Sequence, residues 1–203
     1  MKNYLAIDTC GKNLTVIAEY NGKREVYFNS DCGVNHSTEL MVRVEEVLSK
    51  LGVSVKDLDF IACVVGAGSF TGIRIGVSTV KALCLSSGKK CLPVTSFDVL
   101  SYNKPNAKVL ALIDAHHGGY YACGYDKGKI VLEPKYILKD ELDKIKDGYK
   151  LISFEEIEGY DVEVVSLEKG LLNAVDKLKD NLIDAENLQP LYLRKSQAEE
   201  GRP

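Results

Sequence analysis

Histidine is scarce. The 203 residues contain three, His36, His116 and His117, and two of these are adjacent. A transition-metal site usually takes three or four protein ligands, so no metal centre is expected. The six cysteines, Cys10, Cys32, Cys63, Cys84, Cys91 and Cys123, include no C-x-x-C pair. Several lie inside apolar runs. They are read as reduced, buried small hydrophobes of a cytoplasmic protein. No apolar run reaches the roughly 18 residues of a membrane span. The stretch Met1-Lys2-Asn3-Tyr4-Leu5 carries a charge and then a strand, not a signal peptide. A basic block is also missing. Residues 1–103 carry 11 Lys and Arg against 10 Asp and Glu, and the remainder 15 against 19, for a net charge of −3. Phosphate neutralisation drives nucleic-acid affinity, so tight autonomous binding to nucleic acid is not expected.

Glycine, by contrast, is concentrated in one place. Val65-Gly66-Ala67-Gly68-Ser69-Phe70-Thr71-Gly72-Ile73-Arg74-Ile75-Gly76 lies between an apolar strand, Phe60 to Val65, and a helical pattern, Thr71 to Ser87. A glycine loop at a helix start can cradle a phosphate with free N–H groups and the helix dipole. It can equally let the helix pack closely. No Gly-Lys-Ser/Thr closes the loop, so it is not a P-loop. Nor is it a nucleophile elbow, because Ala67 and Thr71 stand where glycine would be needed around Ser69. Ser69 reads as the helix cap, with Thr71 the competing choice. Gly66, Gly68, Ser69, Thr71 and Gly72 are therefore read as a structural loop.

The chain opens with a three-strand meander: Tyr4 to Asp8, Leu14 to Tyr20, and Glu25 to Asn29 after an Asn21-Gly22 hairpin turn. A helix follows from the Asn35–Glu39 region to Gly52, with Leu40, Val44, Val47 and Leu51 on its core face. Met41 and Leu48 lie on the shoulder of that face. The helix after the glycine loop has two non-solvated faces. Ile73, Val77, Val80 and Cys84 form one, and Gly72, Ile75, Gly76, Thr79 and Leu83 the other. A helix apolar on two sides is buried on two sides. The second face, with Met41 and Leu48, is expected to meet a partner. A C2 homodimer would make that contact isologous.

After a linker at Tyr102 to Asn106 the pattern restarts. Strand Val109 to Asp114 ends on a carboxylate, a glycine turn follows, and Tyr120 to Tyr125 and Ile130 to Leu138 are extended. The echo of strand, Asp and turn suggests an internal duplication. Two lobes are expected, an N-terminal one over 1–103 and a smaller C-terminal one over 104–203. Asp8 and Asp114, one per lobe, each end a strand before a turn; Asp8 is read first as a turn-capping carboxylate, and the pair as a candidate vestigial nucleotide site. The tail from Gln197 to Pro203 reads as frayed.

These residues resemble the TsaB (YeaZ) family, whose signature reads G-P-G-S-F-T-G-L-R-I-G. Ala6-Ile7-Asp8-Thr9, His36-Ser37-x-x-Leu40, Ile113-Asp114-Ala115 and Pro190-Leu191-Tyr192-Leu193-Arg194 also follow the family's order. Ala67 replaces the usual proline, and His116 a common arginine. The resemblance implies an α/β fold of the actin, sugar kinase and Hsp70 ATPase (ribonuclease H-like) type. It implies a cytoplasmic, non-catalytic scaffold subunit in tRNA threonylcarbamoyladenosine modification, which acts next to the anticodon of tRNAs reading ANN codons. The partners it implies are a catalytic TsaD-like subunit and a TsaE-like ATPase, with a homodimer when alone and tRNA only through the complex. No cofactor of its own is implied, with ATP or ADP at a subunit boundary left open.

Two other readings compete. An independent actin-like ATPase or phosphotransferase would use Asp8 and Asp114 around Mg²⁺ and phosphates. The second lobe, however, lacks a late Gly-Gly adenosine segment. A hydrolase would need a nucleophile–base pair, and none is visible.

Overall fold

In a computed structural model, residues 2–194 are described. The expectation for Gln197 to Pro203 falls outside them. The chain divides into two compact units. The first comprises the chain up to Thr95 together with Val175–Leu191, and the second Ser96–Ala174 and the chain from Tyr192.

The first unit is built on a five-stranded mixed sheet. Its strands are β1 (Tyr4–Asp8), β2 (Leu14–Tyr20), β3 (Lys23–Asn29), β4 (Phe60–Val64) and β5 (Lys90–Val94), in spatial order β3-β2-β1-β4-β5. β1 pairs antiparallel with β2 and parallel with β4. Every residue of β1 and β4 is buried. That agrees with unbroken apolar runs such as Phe60-Ile61-Ala62-Cys63-Val64, which suit strands covered on both faces. β3 is an edge strand and carries Lys23 and Arg24, charges that discourage edge-to-edge pairing. Two helices pack on this sheet, α1 (His36–Leu51) against β2 and β3 and α2 (Phe70–Ser87) mainly against β4. Each ends on a left-handed glycine, Gly52 and Gly88, the usual helix stop.

The second unit repeats the plan. Its strands are β6 (Lys108–Asp114), β7 (Gly119–Asp126), β8 (Lys129–Leu138), β9 (Lys150–Ser153) and β10 (Glu163–Val164), in order β10-β9-β6-β7-β8. β6 pairs antiparallel with β7 and parallel with β9, as β1 does with β2 and β4. Its helices are α3 (Ser96–Ser101), α4 (Lys139–Ile145) and the start of α5 (Leu167–Leu178). This doubled arrangement of mixed sheets flanked by helices is the two-lobed, ribonuclease H-like fold expected from the sequence.

The boundary differs from the one expected at residue 103. α3 packs on β6, β7 and β9 and so belongs to the second unit. The stretch read as a linker is a hydrogen-bonded turn: Tyr102 N–H donates to Asp98 O, and Lys104 N–H to Ser101 O. At the other end, residues 175–191 return to the first unit. Cys91 and Ile183 exchange backbone hydrogen bonds of 2.9 Å each, and Leu191 N–H donates to Val65 O at 2.7 Å.

Candidate functional site: the glycine loop and the first turn

The loop between β4 and α2 meets the turn after β1. Ser69 N–H donates to Cys10 O at 2.7 Å. The Ser69 hydroxyl accepts from Gly72 N–H at 3.3 Å, so Ser69 is the cap of α2. Thr9 Oγ1 donates to Gly72 O at 2.7 Å in a buried setting. Two of the N–H groups at the start of α2, those of Ser69 and Gly72, are thus spent on this chain's own atoms. The contact also explains the glycines. A Cβ on Gly68 would collide with Cys10 O, one on Gly72 with Thr9 O, and one on Gly76 would lie 2.5 Å from Thr9 Oγ1.

This geometry corrects the expected partner face. Gly72 and Gly76 are buried against Thr9 and do not face outward. Leu48 is buried as well. The α2 stripe of Ile75, Thr79 and Leu83 is half-buried, and Met41 on α1 is 48% exposed. The wheel grouped Gly72 and Gly76 with the outer stripe and could not show that these small residues fill against the turn after β1. Thr71, the competing cap, is exposed one position inside the helix. α1 starts after Asn35 without a side-chain cap.

The two aspartates take the same local form. Asp8 Oδ1 accepts from Cys10 N–H at 2.8 Å, and Asp114 Oδ1 from His116 N–H at 2.7 Å. Both are turn-capping carboxylates two residues before the bonded N–H. Their surroundings differ. Asp8 is 3% exposed, and burial raises its pKa from the usual 3.8 despite the Cys10 N–H and nearby His36. The Asp114 side chain is 40% exposed.

A carboxyl group whose folded pKa is raised costs stability as pH climbs from its unfolded value through its folded one, because the folded state resists the charge. Asp8→Asn keeps an oxygen for Cys10 N–H and removes that cost. The variant is expected to melt above the parent at pH 7, with the gap closing as pH falls toward 4. Melting curves across that range test this. A variant that melts lower at pH 7 would mean that the carboxylate is stabilising.

Two parts of the site were not found from the sequence. A Cβ on Gly66 would lie 2.7 Å from Leu191 O, so the closing Pro190-Leu191 segment braces the glycine loop. His36 presents Nδ1 to Gly33 O at 2.5 Å and Nε2 to Asn13 O at 2.9 Å. It ties the start of α1 to the turn before β2. All six cysteines are buried free thiols. Burial pushes the Cys123 thiol up to about 12 and raises Cys63 too, which suppresses thiolate chemistry at both. Among the described residues no group of three or more His, Cys, Asp or Glu is placed to hold a metal ion, and no helix is long and apolar enough to cross a membrane.

The sequence model described as tRNA N6-adenosine threonylcarbamoyltransferase, TsaD, matches residues 30–163. The chain is similar to the tRNA threonylcarbamoyladenosine biosynthesis protein TsaB of Bacillus subtilis, at 30% identity over 74% of this chain and 69% of that one. It is also 30% identical to Escherichia coli TsaB over 68% of this chain, a match that spans 63% of the E. coli protein. Among solved structures, YeaZ from Pseudomonas aeruginosa superposes with a TM-score of 0.78 at 22% identity, covering 95% of this chain and all of that one, which shows the same fold. With a family model matched over residues 30–163 and a TsaB relative 30% identical over 69% of its length, this chain belongs to the TsaB (YeaZ) family of tRNA threonylcarbamoyladenosine biosynthesis proteins.

Proposed function

We propose that this chain is a non-catalytic subunit for threonylcarbamoyladenosine formation on tRNA, and that it works by holding a catalytic TsaD-like partner. The observation that carries this reading is the occupied loop. The N–H groups of Ser69 and Gly72, the atoms that would receive a phosphate in a cradle, bond to Cys10 O and Ser69 Oγ instead. The loop thus spends these groups on seating α2 against the turn after β1, which supports a structural role for it.

The outer faces of α1 and α2 supply the binding surface. On α1 Met41 is 48% exposed, and on α2 Ile75, Thr79 and Leu83 form a half-buried apolar stripe. Apolar side chains left partly open on a helix face are the kind of surface a protein partner covers. The same face serves a homodimer when the partner is absent, and a TsaE-like ATPase joins the pair. The cytoplasm is the compartment that fits six free thiols.

Reconstitution tests this reading. With a TsaD-like subunit, a source of threonylcarbamoyl-adenylate and unmodified tRNA, adding this chain should raise the yield of modified adenosine by more than tenfold. Equal yield without it, or robust ATP turnover by the isolated chain with Mg²⁺, would overturn the proposal.

A further inference from the structure

Acidic residues outnumber lysines over residues 96–174, and both signs occur at each end of the sheet: Lys135 pairs with Glu141 among the acidic group, and Asp126 and Glu163 stand among the lysines. At the end where β6 and β9 finish and β7 starts stand Asp114, Asp140, Glu141, Glu155, Glu156 and Glu158. The opposite end holds Lys104, Lys108, Lys127, Lys129 and Lys150.

The backbone brings these lysines together. Lys108 and Lys150 begin the adjacent parallel strands β6 and β9, with Val109 in register with Lys150. Lys127 and Lys129 form the β7–β8 hairpin, and Lys127 N–H donates to Ala107 O at 3.2 Å. Lys104 and Lys150 share one carboxylate, Glu163, at 2.6 and 2.5 Å, so half the charge of that pair is neutralised. Lys108, Lys127 and Lys129 are different. Asp126 is in register with both Lys108 and Lys129, but none of the three lysines makes an ion pair among the described residues. The Lys108 ammonium lies 4.6 Å from the ring centre of half-buried Tyr149, and Asn106 is exposed beside it.

We propose that this end of the second unit is a contact surface for the tRNA phosphate backbone, built on Lys108, Lys127 and Lys129. The inference rests on the proposed function, which supplies the polyanion. Three unpaired point charges at neighbouring strand ends give a sequence-independent, salt-sensitive grip of the kind that positions nucleic acid and does not read it. An aromatic ring beside them is the kind of platform on which single-stranded bases stack. Three lysines are too few for tight binding alone, which agrees with a chain that meets tRNA only within a complex.

The test uses the reconstituted complex and the triple variant Lys108→Gln/Lys127→Gln/Lys129→Gln. These side chains are exposed and lie outside the α1–α2 face, so assembly with the TsaD-like subunit should be unchanged on a sizing column. The KM for tRNA should rise by about tenfold at 0.15 M salt. The slope of log affinity against log salt should flatten by about 2, the value for three contacts to a single strand. An unchanged KM and slope would overturn the proposal. So would loss of assembly, which would make this end a protein-docking surface. A parent complex that assembles without modifying tRNA would instead defeat the functional reading, and tRNA binding measured directly on that complex would still report on the lysines.

Discussion

Gly72→Val is expected to prevent stable folding of the first unit, and Gly72→Ala to lower the melting temperature by about 6–12 °C. The reason is the position of Thr9. A Cβ at residue 72 points at the Thr9 carbonyl oxygen, which belongs to backbone and cannot rotate away. Either α2 or the turn after β1 must retreat. The retreat stretches the Thr9 Oγ1 to Gly72 O bond and the Ser69 N to Cys10 O bond together. Losing buried hydrogen bonds costs about 1–3 kcal/mol each when a group is left unsatisfied. Roughly 3 kcal/mol, at about 2–4 °C per kcal/mol for a chain of this length, gives the stated range. The backbone at Gly72 is helical, so alanine carries no conformational penalty there. A Gly72→Ala variant with an unchanged melting temperature would show that the helix can shift without cost. Gly52→Ala is the control, because its Cβ would meet nothing within 4 Å. It should lose only the left-handed glycine preference, about 1 kcal/mol.

Thr79→Arg combined with Met41→Arg is expected to abolish association with the TsaD-like partner and with a second copy, while the isolated chain keeps its melting temperature within a few degrees. Both side chains project from the outer side of the α1–α2 pair, where Thr79 is half-buried and Met41 exposed. A specific interface buries on the order of 1,600 Å² in total, and residues in its middle can each contribute 2 kcal/mol or more. Burying an unpaired charge there costs several kcal/mol further, so the combined change amounts to a loss of at least a hundredfold in affinity. Analytical ultracentrifugation and calorimetry against the partner both read it. Association that survives the double variant would place the interface elsewhere. Gly76, which the wheel grouped with Thr79, is unsuitable for this test because its substitution would strike Thr9 inside the fold.

Those two variants also mark where the sequence was legible. The strands and helices read from the sequence each carry a strong local signal. Asn21-Gly22 turns β2 into β3, Gly52 and Gly88 stop α1 and α2, and Phe60 to Val64 is an unbroken apolar run. The echo around Asp8 and Asp114 correctly implied a doubled topology, since a strand that ends on a turn-capping carboxylate leaves a mark within a few residues. Contacts between distant stretches left no such mark. A helical wheel orders residues by angle, and Gly72 and Ile75 fall within one broad arc. What fills the space beside that arc is Thr9, which the wheel cannot contain. The boundary near residue 103 was misplaced for a similar reason. Asn103-Lys104-Pro105-Asn106 has a linker's composition, while the turn bonds that make it rigid depend on where α3 packs.

The return of residues 175–191 to the first unit has a consequence for how this chain is made. Cys91 and Ile183 are partners across 92 positions, and Leu191 reaches back further still to Val65. The first sheet therefore emerges from the ribosome long before the strip that braces its glycine loop. At roughly 5–20 residues per second, the delay is about 5–20 s, far longer than the microseconds in which helices and hairpins form. During that interval the second unit, whose strands are nearly all contiguous in sequence, can complete its own sheet. The later domain is thus the first able to finish folding, and the closing segment completes the earlier one.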